Sequence, residues 1–220
     1  SLLCCDADHR PAPYSLPPAD RPSAPLTQPG SRPIVAHAKP ASGLDLPPVI
    51  SLGRENRPWK GGFLGGSLDA LQVQDPGRSG QNFQDWFREA RTQKRLAALD
   101  VVGQSFAKNR QVVLERTLHD HSVQAALKMM SSEQLRAFEL DDEPQALRAA
   151  YGDNNFGRGL LVARRLIEQG VRSVEVTLQN FDTHNDNFTR HRDHAAVLDP
   201  AFAALLKDLE ARDLLASTAV

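Results

Sequence analysis

One polar loop holds residues whose types and spacing suit the binding of a metal ion. Asp182 and His184 stand two positions apart and supply a carboxylate and an imidazole. Asn185 and Asp186 follow directly as further candidate ligands. In a loop, such side chains can converge on one divalent cation. Asp and Asn are also expected at any turn between a strand and a helix, so the spacing leaves a metal site and an ordinary polar turn both open.

Two histidines downstream form a second candidate pair. His191 and His194 are three residues apart, a spacing that lets a helix present two imidazoles one turn apart. A surface helix that begins near Asn187 explains the same residues without a metal. We favour the surface helix.

The elements around the loop predict where it lies in a fold. From Val171 to Leu178, apolar and polar residues alternate, which is typical of a strand with one buried face. An apolar helix covering residues 160–167 and ending at Gly170 precedes this strand. The order helix, strand, polar loop and helix predicts an α/β fold with a mostly parallel sheet. In such sheets, ligands collect beyond the carboxyl ends of the strands, which is where this loop would be.

Local signals predict further helix boundaries. Ser131 to Gln134 has the spacing of a capping box, so a short helix is expected after Ser131. Pro144 suits the first turn of another helix that ends before Gly152. A last helix is predicted with Asp199 as its N-cap and with Pro200 at its first position.

Composition excludes several classes of protein. The chain has 220 residues, and its 26 Lys and Arg against 27 Asp and Glu give a formal net charge of -1. Such a chain has no overall positive field to attract nucleic acid. The longest apolar run, residues 201–206, is far too short to cross a bilayer. The motifs typical of P-loop, dinucleotide-binding and serine-hydrolase sites do not occur in the sequence.

Proline usage divides the chain. Twelve of the 15 prolines fall within the first 60 residues, so residues 1–43 are predicted to form an irregular Pro-rich arm. Residues 44–220 are predicted to form an incomplete α/β domain with a helical insert at about 83–150. The chain begins with Ser1, and we expect it to be an internal piece of a longer protein.

Several motifs occur together in the last third of the chain. They are Tyr151-Gly152, Phe156-Gly157, Arg164-Arg165, the run from Glu168 to Arg172, Asp182-Thr183-His184 and the run from Leu205 to Leu209. With these motifs the chain resembles a bacterial family, abundant in planctomycetes, that is catalogued as the domain of unknown function number fifteen-oh-one. Upstream segments extend the resemblance to roughly residues 44 to 220, and the Pro-rich arm matches poorly.

The resemblance implies a fold and a chemistry. The family is similar in fold to the alkaline phosphatase and sulfatase superfamily, which implies a partial alkaline-phosphatase-like sandwich for this chain. It implies that Asp182 and His184 bind a divalent metal such as zinc, manganese or calcium. It further implies a hydrolase of phosphate or sulfate esters with a small substrate, and export to the periplasm or cell envelope.

Two departures from the family pattern bear on this expectation. Phe181 stands where the family usually has Trp, which preserves an aromatic side chain. The family's other site segments do not occur in this chain, so we expect the chain to be inactive by itself. Two alternatives stay open. One is an exported binding or scaffold protein that keeps the phosphatase-like fold without turnover, and the other is a truncated gene product.

Overall fold

The structure is a computed structural model that describes residues 28–54, 59–77, 113–181 and 183–220, with residues 92, 94, 95, 97 and 98. Over these residues the fold is mixed α/β, as the sequence predicted. The helices are α1 (Ser31–Ala38), α2 (Val113–Ser131), α3 (Gln145–Tyr151), α4 (Asn155–Glu168) and α5 (Asn187–Ala211). The strands are β1 (Val49–Leu52), β2 (Leu71–Val73) and β3 (Ser173–Val176). Short 3₁₀ helices cover Gly62–Leu64, Gly66–Leu68, Glu133–Phe138 and Leu215–Ser217.

A small parallel sheet organises the described residues. Its strand order is β2-β1-β3, and both neighbours of β1 run parallel to it. Ile50 at the centre pairs with Leu71 on one side and with Val174 on the other. All four residues of β1 are buried, whereas those of β3 are only half-buried. The nearly continuous apolar run of β1 is typical of a parallel strand covered on both faces.

Different elements cover the two faces of the sheet. The helix α4 packs on the face that carries Val176, and a Cβ added to Gly159 would lie 2.8 Å from a methyl carbon of Val176. On the opposite face, Glu175 accepts a hydrogen bond of 2.6 Å from the Trp59 indole N–H. Glu175 also pairs with Arg32 of α1 at 3.1 Å, and that guanidinium lies 4.5 Å from the centre of the Trp59 ring. These contacts join α1 to β3.

The irregular arm predicted for residues 1–43 is wrong at residues 31–38, which form α1. Proline in the first turn of a helix is tolerated because the N–H that it lacks would have no intrahelical acceptor. Pro33 occupies such a position, and Pro33 and Ala36 are buried. Residues 1–27 lie outside the described residues. The domain boundary at residue 43 stays a prediction.

The helix predicted at residues 160–167 is confirmed as part of α4. It begins earlier than predicted, because Asn154 caps it by accepting a 2.9 Å hydrogen bond from the Gly157 amide. Gly170 follows the helix with a φ of 92°, a backbone conformation that favours glycine. Gly152 follows α3 with a φ of 88°, which also favours glycine. Pro144 directly precedes Gln145, the first residue of α3.

One predicted helix is confirmed with a different cap, and one predicted helix start is wrong. The short helix expected after Ser131 is the 3₁₀ helix Glu133–Phe138. Ser131 itself is the last residue of α2, and Ser132 caps the 3₁₀ helix by accepting a hydrogen bond from the Gln134 amide. Pro200 lies inside α5, which begins at Asn187, so Asp199 is not a cap. Pro200 and Ala196 are both exposed, so water can bond the Ala196 carbonyl that Pro200 leaves without a donor. The surface helix predicted near Asn187 is confirmed.

A buried ionic network joins α3, α4 and α5. The Arg164 side chain is 1% exposed and pairs with Glu143 at 2.7 Å and with Asp208 at 3.0 Å. It also pairs with Glu168 one turn along α4, at 2.8 Å. The Tyr151 hydroxyl donates a 3.0 Å hydrogen bond to Asp208. The network therefore fixes the end of α3 and the last third of α5 against α4.

Among the described residues, no helix combines the length and the apolar character that crossing a bilayer requires.

Candidate functional site

The carboxyl ends of the three strands meet at one edge of the sheet. The segment from Gly53 follows β1, the segment from Gln74 follows β2, and a loop of residues 177–186 follows β3. We call residues 177–186 the β3–α5 loop. Because β2 and β3 lie on opposite sides of β1, the strand order reverses at this place. In open parallel sheets such a switch point is the usual place for a ligand.

The loops after β1 and β3 are tied to each other. The Thr177 amide donates a 3.0 Å hydrogen bond to the Leu52 carbonyl. Gly53 has a φ of 96°, and a Cβ at this residue would lie 3.2 Å from the Thr177 carbonyl oxygen. Further out, the Gln179 side-chain amide donates a hydrogen bond to the Arg54 carbonyl. The two loops therefore leave the sheet as a connected pair.

The helix α4 adds polar contacts beside β2. The Asn155 side-chain amide donates a 3.2 Å hydrogen bond to the Gln74 carbonyl. Arg158 pairs with Asp153 at 3.0 Å and lies 3.6 Å from Asp75. The first turns of α4 thus lie at the same edge of the sheet as the strand ends.

The β3–α5 loop contacts α5 through aromatic rings. His194 Nε2 lies 2.7 Å from the carbonyl oxygen of Asn180, whose φ is 71°. The ring of Phe181 lies 4.6 Å from the His194 ring and 5.9 Å from the His191 ring, centre to centre. The two imidazole centres are 6.4 Å apart. Phe181 therefore contacts both histidines through its aromatic ring.

A second contact lies closer to the start of α5. The Thr183 hydroxyl donates a 3.0 Å hydrogen bond to the Asn187 side-chain oxygen. It also lies 3.5 Å from His191 Nε2. Asp186 precedes α5 with a φ of 52°, and its side chain makes no capping hydrogen bond.

The structure describes three of the four predicted metal ligands. Asp182 lies outside the described residues. His184, Asn185 and Asp186 are exposed on the β3–α5 loop. Among the described residues, no three His, Cys, Asp or Glu side chains form a group that could hold a metal ion. The metal assignment of Asp182 and His184 therefore stays a prediction.

A cleft lies apart from the predicted ligands. Its volume is about 550 Å³, and no described residue of the β3–α5 loop lines it. Its walls come from α3, from the first turns of α4 and from residues near Gly77 and Leu140. Arg148, Asp153 and Arg158 contribute charges of both signs to the walls. These charges do not favour one sign of ligand.

Comparison with known families identifies the chain. Residues 7–220 match the family described as "Protein of unknown function (DUF1501)". The chain belongs to this family. The match begins at residue 7. It therefore extends well upstream of residue 44, which the sequence analysis gives as the approximate start of the resemblance. Searches among curated proteins and among solved structures find no match.

Some contacts of the candidate site could not be predicted from the sequence. The pairing of His194 with Asn180 spans 14 residues and depends on the left-handed backbone of Asn180. The spacing of His191 and His194 did indicate that both histidines lie on one helix. The described part of the site places imidazoles, amides and a hydroxyl at the switch point, where solvent reaches them.

Proposed function

We propose that this chain is part of a metal-dependent hydrolase of phosphate or sulfate esters, with the cation at the β3–α5 loop. The observation that supports this most is the position of the loop beyond the carboxyl end of β3, at the switch point of the sheet. The proposal includes kinship of the DUF1501 fold with the alkaline phosphatase and sulfatase superfamily. In that case the three strands belong to a larger alkaline-phosphatase-like sandwich.

Asp182 and His184 are the proposed metal ligands. His184 is exposed, so a cation from solvent can reach its imidazole. Asn185 and Asp186 are the additional candidates, since both are exposed on the same loop. Zinc, manganese and calcium are the candidate metals. The imidazole of His184 suits zinc, whereas the carboxylates of Asp182 and Asp186 also suit manganese and calcium.

Completion of the site requires further groups. A catalytic zinc ion takes three protein ligands and keeps one position for water or substrate. The described residues form no group of three such ligands. The missing metal ligands therefore have to come from outside the described residues. We therefore propose that the chain binds a cation by itself without hydrolysing esters at an appreciable rate.

The chemistry of the site follows from general properties of bound metals. A divalent cation lowers the pKa of a bound water or hydroxyl and stabilises charge on the oxygens of a transferring phosphoryl or sulfuryl group. In this chain, Asp182 and His184 would hold the cation. The exposed edge of the sheet leaves space for a small anionic ester to approach from solvent.

Calorimetric titration tests the proposed ligands. The wild-type chain is titrated with zinc, manganese and calcium beside the D182N/H184A double variant. The matched control is H37A/D199N, which alters the same residue types at exposed positions on α1 and far along α5. We expect one binding site in the wild-type chain and in the control, with affinity at least about tenfold weaker in D182N/H184A. Equal binding by the double variant would refute the ligand assignment.

A second candidate is a binding or scaffold protein that keeps this fold without turnover. The observation that favours it is that the described residues contain no three-ligand group. The two candidates differ in one measurement, the hydrolysis of aryl phosphate and aryl sulfate by the protein in its native, unprocessed length with zinc or manganese. Metal-dependent turnover supports the hydrolase, and binding without turnover supports the scaffold.

A further inference from the structure

Two histidines of α5 hold the β3–α5 loop. We infer that His194 and His191 are positioning residues for this loop and set where its main chain lies. The inference gains its functional meaning from the proposed function, because His184 belongs to the loop that they hold.

The first anchor is a hydrogen bond to Asn180. This residue has a φ of 71°, in the left-handed region that residues other than glycine rarely adopt. Its carbonyl oxygen lies 2.7 Å from His194 Nε2, a short distance for a hydrogen bond between nitrogen and oxygen. Because a carbonyl can only accept, the hydrogen bond requires a proton on Nε2. His194 therefore holds this left-handed residue from the helix side.

The ring of Phe181 reinforces this anchor. It lies 4.6 Å from the His194 ring, with the two planes inclined by 33°. It also contacts the His191 ring at 5.9 Å. Both distances lie within the range of attractive contacts between aromatic rings. Phe181 thereby limits the rotation of the imidazole whose Nε2 bonds Asn180.

The second anchor lies directly before His184. The Thr183 hydroxyl bonds Asn187 at 3.0 Å and lies 3.5 Å from His191 Nε2. The helix α5 thus contacts the loop at the carbonyl of Asn180 and again at the side-chain hydroxyl of Thr183. His184 is the next residue, so its backbone position depends on both anchors.

This arrangement assigns the two histidines a role different from metal ligation. In the described structure His194 Nε2 is engaged with a backbone carbonyl, and the two imidazole centres are separated by 6.4 Å. Groups that orient a ligand loop without touching the metal typically change metal affinity 10- to 100-fold when they are removed.

Three variants of the chain test the inference. H194A removes the first anchor, and H194Q retains an N–H donor that can reach the same carbonyl. H37A is the matched control, since His37 is exposed on α1. The measurements are hydrogen exchange of the amides of residues 183–186 and zinc affinity by calorimetry. We expect exchange about tenfold faster and zinc affinity about tenfold weaker in H194A, with both values largely restored in H194Q and unchanged in H37A.

The outcomes separate the inference from the proposed function. Unchanged exchange in H194A would overturn the inference, and so would equally fast exchange in H194A and H194Q. If the wild-type chain binds no zinc, the proposed function fails. Hydrogen exchange of the loop amides still tests the positioning role of the two histidines in that case. If H194A does not fold, H191A removes the imidazole that lies 3.5 Å from the Thr183 hydroxyl and leaves the hydrogen bond between Thr183 and Asn187 in place. It is expected to speed exchange at residues 184–186, and unchanged exchange there would overturn the inference.

Discussion

At Gly157, α4 begins directly against the end of α3. A Cβ added at this residue would overlap the carbonyl oxygens of Tyr151 and Gly152. Both obstacles are backbone atoms, which cannot move aside as the end of a flexible side chain can. Glycine at this position is therefore required by the close approach of two helices.

We expect G157A to lower the free energy of unfolding by about 2 kcal/mol or more, because the new methyl group forces the two helices apart. Helix propensity alone predicts the opposite sign, since alanine stabilises a helix by about 1 kcal/mol over glycine. Urea denaturation measures the change. The control is G66A, where a Cβ meets nothing within 4 Å and the expected change is about 0.5 kcal/mol or less. A G157A chain as stable as wild type would contradict this account.

Part of the candidate site could be predicted from the sequence. The alternation from Val171 to Leu178 identified β3, and the rule for parallel sheets then placed the loop after it at the carboxyl edge. The contact of His194 with Asn180 could not be predicted from the sequence. It depends on the left-handed backbone of Asn180, which an Asn residue can adopt but does not have to adopt.

At the scale of elements, the ionic network around Arg164 connects three helices. Burial by itself would raise the pKa of Glu143, but hydrogen bonds from Arg165 and Arg164 outweigh it and hold that pKa below its ordinary value. The pKa of Asp208 is lowered likewise, because the hydrogen bond from Arg212 and the charge of Arg164 outweigh burial. Burial and the neighbouring Asp208 carboxylate raise the pKa of Tyr151, which keeps its hydroxyl protonated.

These pKa shifts predict how stability depends on pH. A carboxyl group with a lowered pKa in the folded state contributes stability that is fully present above the unfolded pKa of about 4. That contribution is lost as the pH falls through the lower folded-state pKa, because the unfolded chain takes up protons first. We expect the free energy of unfolding to fall between pH 5 and pH 2 by on the order of 1 kcal/mol each for Glu143 and Asp208.

Urea denaturation across this pH range measures the effect. E143Q removes one of the two titrating groups, so its stability should fall less steeply with decreasing pH than that of wild type. E133Q is the control, because Glu133 is exposed and belongs to no buried ion pair in the described structure. The same steepness in E143Q and wild type would show that the network does not control acid stability.

Helix ends were partly predictable at this scale. Gly152 and Gly170 signal the ends of α3 and α4 because a φ near 90° favours glycine. The helix start predicted at Pro200 is wrong, because an exposed helix face tolerates the carbonyl that proline leaves without a hydrogen-bond donor. The signal from proline depends on burial, which the local sequence does not reveal.

At the scale of the whole molecule, α1 matters because it covers one face of the sheet. Its Arg32 contacts Glu175 and Trp59, and Pro33 and Ala36 are buried. A domain that began at residue 44 would leave this face of β1 and β3 without α1. The sequence could not show this, because the partners of α1 on β3 lie about 140 residues away.

Two truncated chains test the role of α1. We expect a chain of residues 28–220 to be more stable than a chain of residues 44–220 by about 2 kcal/mol or more, because only the longer one buries α1 against the sheet. Thermal and urea denaturation compare the two. Equal stability would support the predicted domain boundary at residue 43.

The sheet itself shows the limit of sequence reasoning. The strands β1 and β2 have four and three residues, too few for a periodic pattern to distinguish them from loops. Val49 pairs with Ser173, a contact across more than 120 residues that no local signal specifies. Order and register therefore come from tertiary packing.

The most direct test of the central claim follows the imidazole nitrogens of the chain by NMR during zinc titration, with ¹⁵N-labelled histidine. The account predicts that the ring signals of His184 shift with zinc and saturate, while those of His37 on α1 stay in place. It also predicts that D182N weakens the response at His184. Ring signals of His184 that stay unchanged at saturating zinc would contradict a metal site at the β3–α5 loop.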